Sequence, residues 1–352
     1  MTGPDANALP VLGLMLGDFT GLGPEQCARV LADRRLADAA RLLVVGDARV
    51  LEQGARDAGV RIAWRAVAGP EDVDWARPEI PIVDLGNLDP AAVQRGRISP
   101  ASGHASGKTL AHMIGLAQAG RLDGIAFAPL NKAALHAGGW RFNDEHQMFA
   151  HLTGHRGFFS EMNVLDGLWM SRVTSHLSLR AALDLVTRER IGEALALADA
   201  TMRSAGIARP RIAVAALNPH AGEGGLFGRE EIEIIAPAVA EAAGRGIDCR
   251  GPFPADTVFL KAFAGEVDGV LSMFHDQGQI ATKLKGFNRG VTVTAGLDVA
   301  FATPAHGTAF DIVGKGVAST GALEQAVRLC ARLAAARRDA RRARLDASPD
   351  PR

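Results

Sequence analysis

Along most of the chain, short continuous apolar runs alternate with stretches of helical periodicity, and this alternation restricts the fold more than any other feature. Runs such as VLGLML, RIAVAAL and DGVLSMF lack the in–out alternation of a strand with one wet face. They read as strands covered on both sides. Strands are expected at Val11–Gly17, Arg41–Val45, Gly124–Pro129, Ser171–His176, Arg211–Leu217, Gly269–Phe274 and Gly290–Thr294. Helices are expected at Pro24–Ala37, Ser106–Ala119, Leu179–Ser204, Arg229–Ala243 and Gly321–Arg342. Pro24 follows a Gly turn and suits a first helical position, where a missing N–H costs nothing. Strands and helices in alternation imply an α/β fold with a largely parallel sheet. Residues 66–102, rich in Pro, Asp and Gly, read as irregular connections, and no internal repeat is visible.

With 352 residues, 47% of them hydrophobic and 22% charged, the chain can bury a full core of one large or two ordinary domains. Its 39 Lys and Arg balance 39 Asp and Glu. That argues against a broad nucleic-acid surface, which needs clustered excess cations. Cys27, Cys249 and Cys330 are too few and too scattered for a disulfide framework or a CxxC zinc site, so any metal here would fall to the ten histidines. No segment has the roughly 18 apolar residues of a membrane span. The N-terminus carries no basic leader or small-residue cleavage pattern, so a cytoplasmic location is expected. The Arg-rich C-terminal run ARRDARRARLDASPDPR reads as a solvated helix end with a frayed tail, or as a basic docking arm.

In open α/β sheets the working groups sit on loops past the carboxyl ends of strands. RIAVAALNPHAGEGGLFGREE puts His220 at one such end, after Asn218 and Pro219 and before a Gly-rich turn. DGVLSMFHDQG puts His275, Asp276 and Gln277 at another, and WMSRVTSHLSL puts His176 at a third. Three imidazoles on separate strand ends can assemble a site for Zn²⁺ or a first-row neighbour, leaving positions open for substrate. The competing reading makes each a structural histidine bonded to nearby backbone.

FATPAHGTAFDIVGKG offers a loop of backbone donors, with His306, Gly307, Thr308, Ala309 and Asp311 placed to approach an adenine or a phosphate. GDFTGLGPE lacks GxGxxG spacing and reads as a strand–helix connector. SGHASGKTL imitates a phosphate-binding P-loop around Lys108 but has Ser102 where that loop needs glycine. Ser106 there is expected to cap a helix. His146, Asp256 and Lys283 form a further polar set, Asp256 being either a helix cap or a working carboxylate.

Taken in order and spacing, LNPHAGEGGLFGREE, GPFPADT, HDQG and HGTAFDIVGKG resemble the 4-hydroxythreonine-4-phosphate dehydrogenase family of pyridoxal phosphate biosynthesis. GDFTGLGPE, APLNKAALHAGG and SHLSL extend the match over residues 11–335. The family's wider relatives are the isocitrate and isopropylmalate dehydrogenases. The resemblance implies a two-domain α/β/α fold with an active-site cleft, residues 1–140 plus 300–345 on the cofactor side and 141–299 carrying metal, substrate and dimer contacts. It implies NAD- or NADP-linked oxidation of a secondary alcohol in a small hydroxy acid, with loss of CO₂ from the β-keto product. A divalent ion (Zn, Mg or Co) would sit on His176, His220 and His275, with His176 given by the partner of a homodimer that shares its active site. His146, Gln147, Lys283 and Thr292 fall on substrate positions, and the proton relay lies among Lys283, His146 and Asp256.

Two departures stand out. Thr292 replaces the family's asparagine, and Phe301 replaces an arginine that helps hold the anionic end of the substrate. Loss of a buried guanidinium partner is worth about 2–3 kcal/mol. By that reading a phosphate is disfavoured there, phosphorylated threonate, erythronate or an unphosphorylated diol carboxylate becomes an alternative substrate, and Phe301→Arg should restore phosphate turnover. A non-catalytic paralogue and a metal hydrolase without nicotinamide are the rival readings. Three intact histidines argue against the first, and the His306–Gly316 loop against the second.

Overall fold

The computed structural model describes residues 9–286 and 289–347. The N-terminal tail before residue 9 and the last five residues of the Arg-rich tail lie outside them. The chain forms two compact units, Met1–His155 with Leu297–Arg352, and Arg156–Gly296. Among the described residues, no helix is long and apolar enough to cross a membrane.

The first unit holds β1 (Val11–Met15), β2 (Arg41–Gly46), β3 (Trp64–Ala66), β4 (Ile80–Asp84), β5 (Gly124–Phe127) and, after the second unit, β12 (Ala300–Pro304). Their order is β3-β4-β2-β1-β5-β12, and every pairing is parallel. The central strands are buried along nearly their whole length, which is why they read as unbroken apolar runs. The unit's helices are α1 (Gly23–Asp33), α2 (Ala48–Ala58), α3 (Pro100–Gln118), α4 (Lys132–Ala137), α5 (Glu145–Thr153) and the long α11 (Gly321–Ala347). The chain leaves β1 toward β2 on one side while β5 lies on the other. The loops behind β1 and β5 meet, with the Asp18 amide donating to Pro129 O at 3.0 Å.

The second unit holds β6 (Ser160–Leu165), β7 (Leu168–Arg172), β8 (Ile212–Ala215), β9 (Cys249–Phe253), β10 (Gly269–Ser272) and β11 (Val291–Ala295), ordered β11-β6-β7-β10-β8-β9. The pairs β11–β6 and β6–β7 are antiparallel, the second closed by Asp166-Gly167, both at positive φ. That is the two-residue turn whose twist matches its strands. From β7 onward the pairing is parallel. Its helices are α6 (Leu179–Asp184), α7 (Arg188–Ser204), α8 (Ala236–Gly244), α9 (Ala255–Phe263) and α10 (His275–Gly286). Leu165, Met170, Val258, Phe259 and Val270 form part of a core between the sheet and α9.

The α/β alternation holds, and several elements correct the sequence reading. The irregular stretch 66–102 contains β4, and β3, β6, β9 and β12 are further strands that short or mixed composition concealed. The helix expected over Leu179–Ser204 breaks into α6 and α7, because the Thr187 side chain accepts from the Arg190 amide at 3.2 Å and starts a new helix. The helix expected from Arg229 opens as a π turn, Glu231–Ile235, before α8. Pro237 near the start of α8 has no N–H to return to that turn. Ser106 is not a cap. Ser99 is, its Oγ accepting from the Ser102 amide at 3.3 Å, so the P-loop look-alike lies inside α3.

Gly103 and Gly107 in α3 are there for close approach. A Cβ on Gly103 would sit 1.8 Å from Ala134 O, and one on Gly107 2.0 Å from the Trp140 indole nitrogen. Helix propensity alone would make Gly103→Ala stabilising by about 1 kcal/mol. The collision instead predicts a loss of about 1–3 kcal/mol, read from urea unfolding, and an unchanged or raised stability would refute the packing argument.

Candidate active site

The second unit's parallel strands β7, β10 and β8 are neighbours, so their carboxyl ends open on one edge of the sheet. Past β7 the backbone keeps pairing: the Val173 and Thr174 amides donate to Ser272 O and Met273 O at 2.9 and 3.2 Å. Two residues later the chain turns away at His176, which takes a left-handed φ of 51°. His275 opens α10 beside it. The rings of His176 and His275 stand 5.6 Å apart, tilted by 43°. Two imidazoles on one ion at ~2.0–2.1 Å place their ring centres roughly 5 Å apart, so the pair fits a shared divalent cation. Asp276 Oδ1 lies 2.7 Å from His275 Nδ1 and orients that ring, the carboxylate–histidine pairing seen behind metal ligands. A cavity of about 200 Å³ opens here, walled by Thr174, Leu177, Leu179 and Phe274.

His220 sits differently. It is exposed on the turn Pro219–Gly225, where His220, Ala221, Gly222, Glu223 and Gly224 all have positive φ. A left-handed run costs roughly 1–2 kcal/mol for each residue with a Cβ, so something must hold it. Glu231 does. Its buried carboxylate accepts from the Leu217 and Asn218 amides at 2.8 and 2.7 Å and from the Asn218 side chain at 2.9 Å. Gln277 ties the neighbouring strand end to this one, accepting from the Met273 amide and donating to Ala216 O, each at 2.7 Å. Among the described residues no three His, Cys, Asp or Glu side chains gather as a metal-holding group. The structure therefore brings His176 and His275 together within one chain and leaves His220 apart.

Behind His176 lies a buried polar cluster that the sequence did not announce. Glu161 Oε2 is 3.9 Å from His176 Nε2, and Glu161 Oε1 is 3.3 Å from Arg172. Arg172 also donates to Asn163, whose amide donates in turn to Thr292 Oγ at 2.9 Å. Thr292 is thus a buried strand residue opposite Asn163, its hydroxyl held within the sheet. Lys283 is exposed two turns along α10, and Asp256 is exposed in the first turn of α9 without a capping bond.

In the first unit His146 is buried on α5, edge-on to Phe149 at 6.3 Å, and the half-buried Gln147 gives its amide to the cap Asp144 at 2.8 Å. The 306–312 loop leaves the carboxyl end of β12 and packs on the start of α1. The Leu22 amide donates to Thr308 O at 3.0 Å, His306 and Gln26 meet at 3.3 Å, and Ala309 takes a φ of 44° before the short helical turn that contains Asp311. Gly21 has no room for a side chain against Thr308, while Gly307 is open.

Phe301 requires a correction. It is fully buried and stacked on Phe149 with ring centres 4.2 Å apart. A residue inside the core cannot be a lost anion contact, so its apolar character carries no message about the substrate. Phe301→Arg would bury an unpaired guanidinium, a change costing about 3–5 kcal/mol, and should unfold the protein at lower denaturant rather than raise turnover.

An α/β chain with a paired-histidine strand edge and a backbone-donor loop is a frame suited to dehydrogenase chemistry, and the comparisons agree. The family model described as pyridoxal phosphate biosynthetic protein PdxA matches residues 38–330. A Pseudomonas aeruginosa protein provisionally named 4-hydroxythreonine-4-phosphate dehydrogenase 2 is 46% identical, over 94% of this chain and 98% of its own. The D-threonate 4-phosphate dehydrogenase of Cupriavidus necator is 42% identical over the same shares. The crystal structure of 4-hydroxythreonine-4-phosphate dehydrogenase from Klebsiella pneumoniae superposes with a TM-score of 0.80 at 37% identity, covering 93% of this chain and 99% of that one. The chain belongs to the PdxA family and is a dehydrogenase of that type.

Glu231 gives this site a pH dependence. Burial pushes its carboxyl up, but donation from the Asn218 side chain and from the Asn218 and Leu217 amides outweighs it, and the net shift is down from the ordinary 4.5. A carboxyl held down in the fold contributes stability above its unfolded value and loses it as pH falls through the folded one. Acidification below about pH 4.5 should therefore loosen the 217–231 loop, with Glu231→Gln less stable at pH 7 and flatter in its acid response. Superimposable urea midpoints against pH for the two proteins would refute the assignment.

Proposed function

We propose that the protein oxidises the secondary alcohol of a small phosphorylated hydroxy acid with NAD or NADP, with 4-hydroxythreonine 4-phosphate and D-threonate 4-phosphate as the substrates its relatives' names point to. The observation that carries the proposal is the His176–His275 pair at adjoining strand ends in a PdxA chain. These imidazoles would hold a divalent cation, Zn, Mg or Co. Bound there, such an ion supplies Lewis-acid stabilisation of developing negative charge on the substrate oxygen, and again on loss of CO₂. His220 stands apart from the pair on its own chain. A homodimer in which imidazoles of two copies complete each ligand set reconciles that separation with the family resemblance.

The chain's own groups have separate tasks. His275 is held in orientation by Asp276, and His176 is backed by Glu161. Exposed Lys283 supplies the cation for the anionic end of the substrate, and His146, Gln147 and Asp256 are the further candidates for substrate contact and proton relay. Thr292 would act through Asn163 rather than by direct contact. With Phe301 in the core, the case against a phosphate falls away. The nicotinamide cofactor supplies the hydride acceptor, and the loop of His306, Gly307, Thr308, Ala309 and Asp311, in which Gly307 and Asp311 are exposed and Thr308 is buried, would receive it.

The test is reduction of NAD⁺ or NADP⁺ at 340 nm with each ion and a panel of phosphorylated and plain hydroxy acids. Turnover should require the phosphorylated compounds, and absence of reduction with every member would end the dehydrogenase assignment for these substrates. Metal analysis of His275→Ala and His220→Ala is a separate check. Each should lose most bound metal, and full retention by both would remove the imidazole site.

A further inference from the structure

The Arg-rich end of α11 is the motif that dehydrogenase chemistry leaves unused. This helix starts beyond the 306–316 loop, crosses β5 and β12, and ends near the residues that precede those two strands. There it borders a cavity of about 870 Å³. Arg337, Arg338, Arg341 and Arg342 line it, and among the described residues the carboxylates lining it are Asp123 and Asp298.

Neither carboxylate neutralises Arg337. Asp123 is committed elsewhere, accepting from the Val11 amide at 2.8 Å and lying 3.7 Å from Arg338. Asp298 is exposed and makes no ion pair with Arg337 among the described residues. Arg337 has no hydrogen-bond partner there, and its Nη1 is shut off from solvent. Burial pushes this guanidinium down from its ordinary value, with Cys330 and Asp298 pulling the other way. A guanidinium stays charged in a protein, so the desolvation cost stands unless an anion or water answers it. Buried polar groups without a protein partner commonly mark such a missing ion.

We propose that this cavity binds a small phosphate-bearing anion, gripped by Arg337 and Arg341 with Arg338 and Arg342 at its border. Planar guanidinium forks suit phosphate oxygens, and the open side of the cavity admits a ligand larger than inorganic phosphate. The site lies at the amino ends of the strands of the first unit, the edge opposite the one that carries the 306–316 loop. It is therefore separate from the proposed cofactor loop and does not depend on the dehydrogenase reading.

Calorimetric titration of the full chain with inorganic pyrophosphate, in low-salt, metal-free buffer, tests it. Wild type and Lys283→Ala should bind alike, whereas Arg337→Gln/Arg341→Gln should bind at least tenfold more weakly. Arg337→Met should raise Tm in anion-free buffer, because a half-buried guanidinium with an unanswered nitrogen is gone, and should no longer gain Tm from pyrophosphate. Arg341 is exposed, so Arg341→Gln alone provides a variant that folds. Binding lost in Lys283→Ala but kept in the arginine variants, or no binding by wild type, would overturn the proposal.

Discussion

The site depends on one constraint, the parallel pairing of β7, β10 and β8. Parallel neighbours point the same way, so whatever follows each strand emerges on the same edge. Residues nearly one hundred positions apart in sequence, His176 and His275, thereby come to face each other. The pairing even outlasts the strands: the Thr174 amide and hydroxyl both bond Met273 O, which keeps the two loops in step until His176 departs.

Holding those loops takes buried polar groups rather than apolar packing. A turn with six consecutive positive-φ residues, His220 to Gly225, is unfavourable by itself, and Glu231 anchors the segment that leads into it with three donors directed at one carboxylate. Gln277 spans β10 and β8 through backbone groups that a loop would otherwise leave bare. The Glu161–Arg172–Asn163–Thr292 cluster does the same behind His176, joining β6, β7 and β11. Each is a charged or amide group under the surface with its partners supplied. That combination gives rigid placement at low net cost.

Much of this was legible from sequence. Continuous apolar runs marked the parallel strands, because a strand covered on both faces has no polar side to show. The histidines of LNPH, HDQG and SHLSL are identifiable as strand-end residues from the sequence. The hairpin of β6 and β7 is not among the expected strands although Asp166-Gly167 carries its turn signal, because Glu161 and Asn163 interrupt the apolar character of β6. Their polarity belongs to the buried cluster, and burial of a polar residue leaves no periodic trace. Phe301 differs from the sequence expectation for the converse reason. A substitution at a family position says what was lost, but not whether the position faces substrate or core.

By itself, then, the sequence determined the class of fold, the α/β alternation, and which residue types stand at the strand ends and in the Gly-rich loop. Those properties are local, carried by periodicity and by residue type. Only the tertiary structure decided which of these groups meet. His176 and His275 pair while His220 stands off, Thr292 and Phe301 turn inward, and Arg337 is left without a partner beside a cavity. Meeting, burial and desolvation are set by strand order and by packing between distant segments, and nothing in the spacing along the chain encodes them.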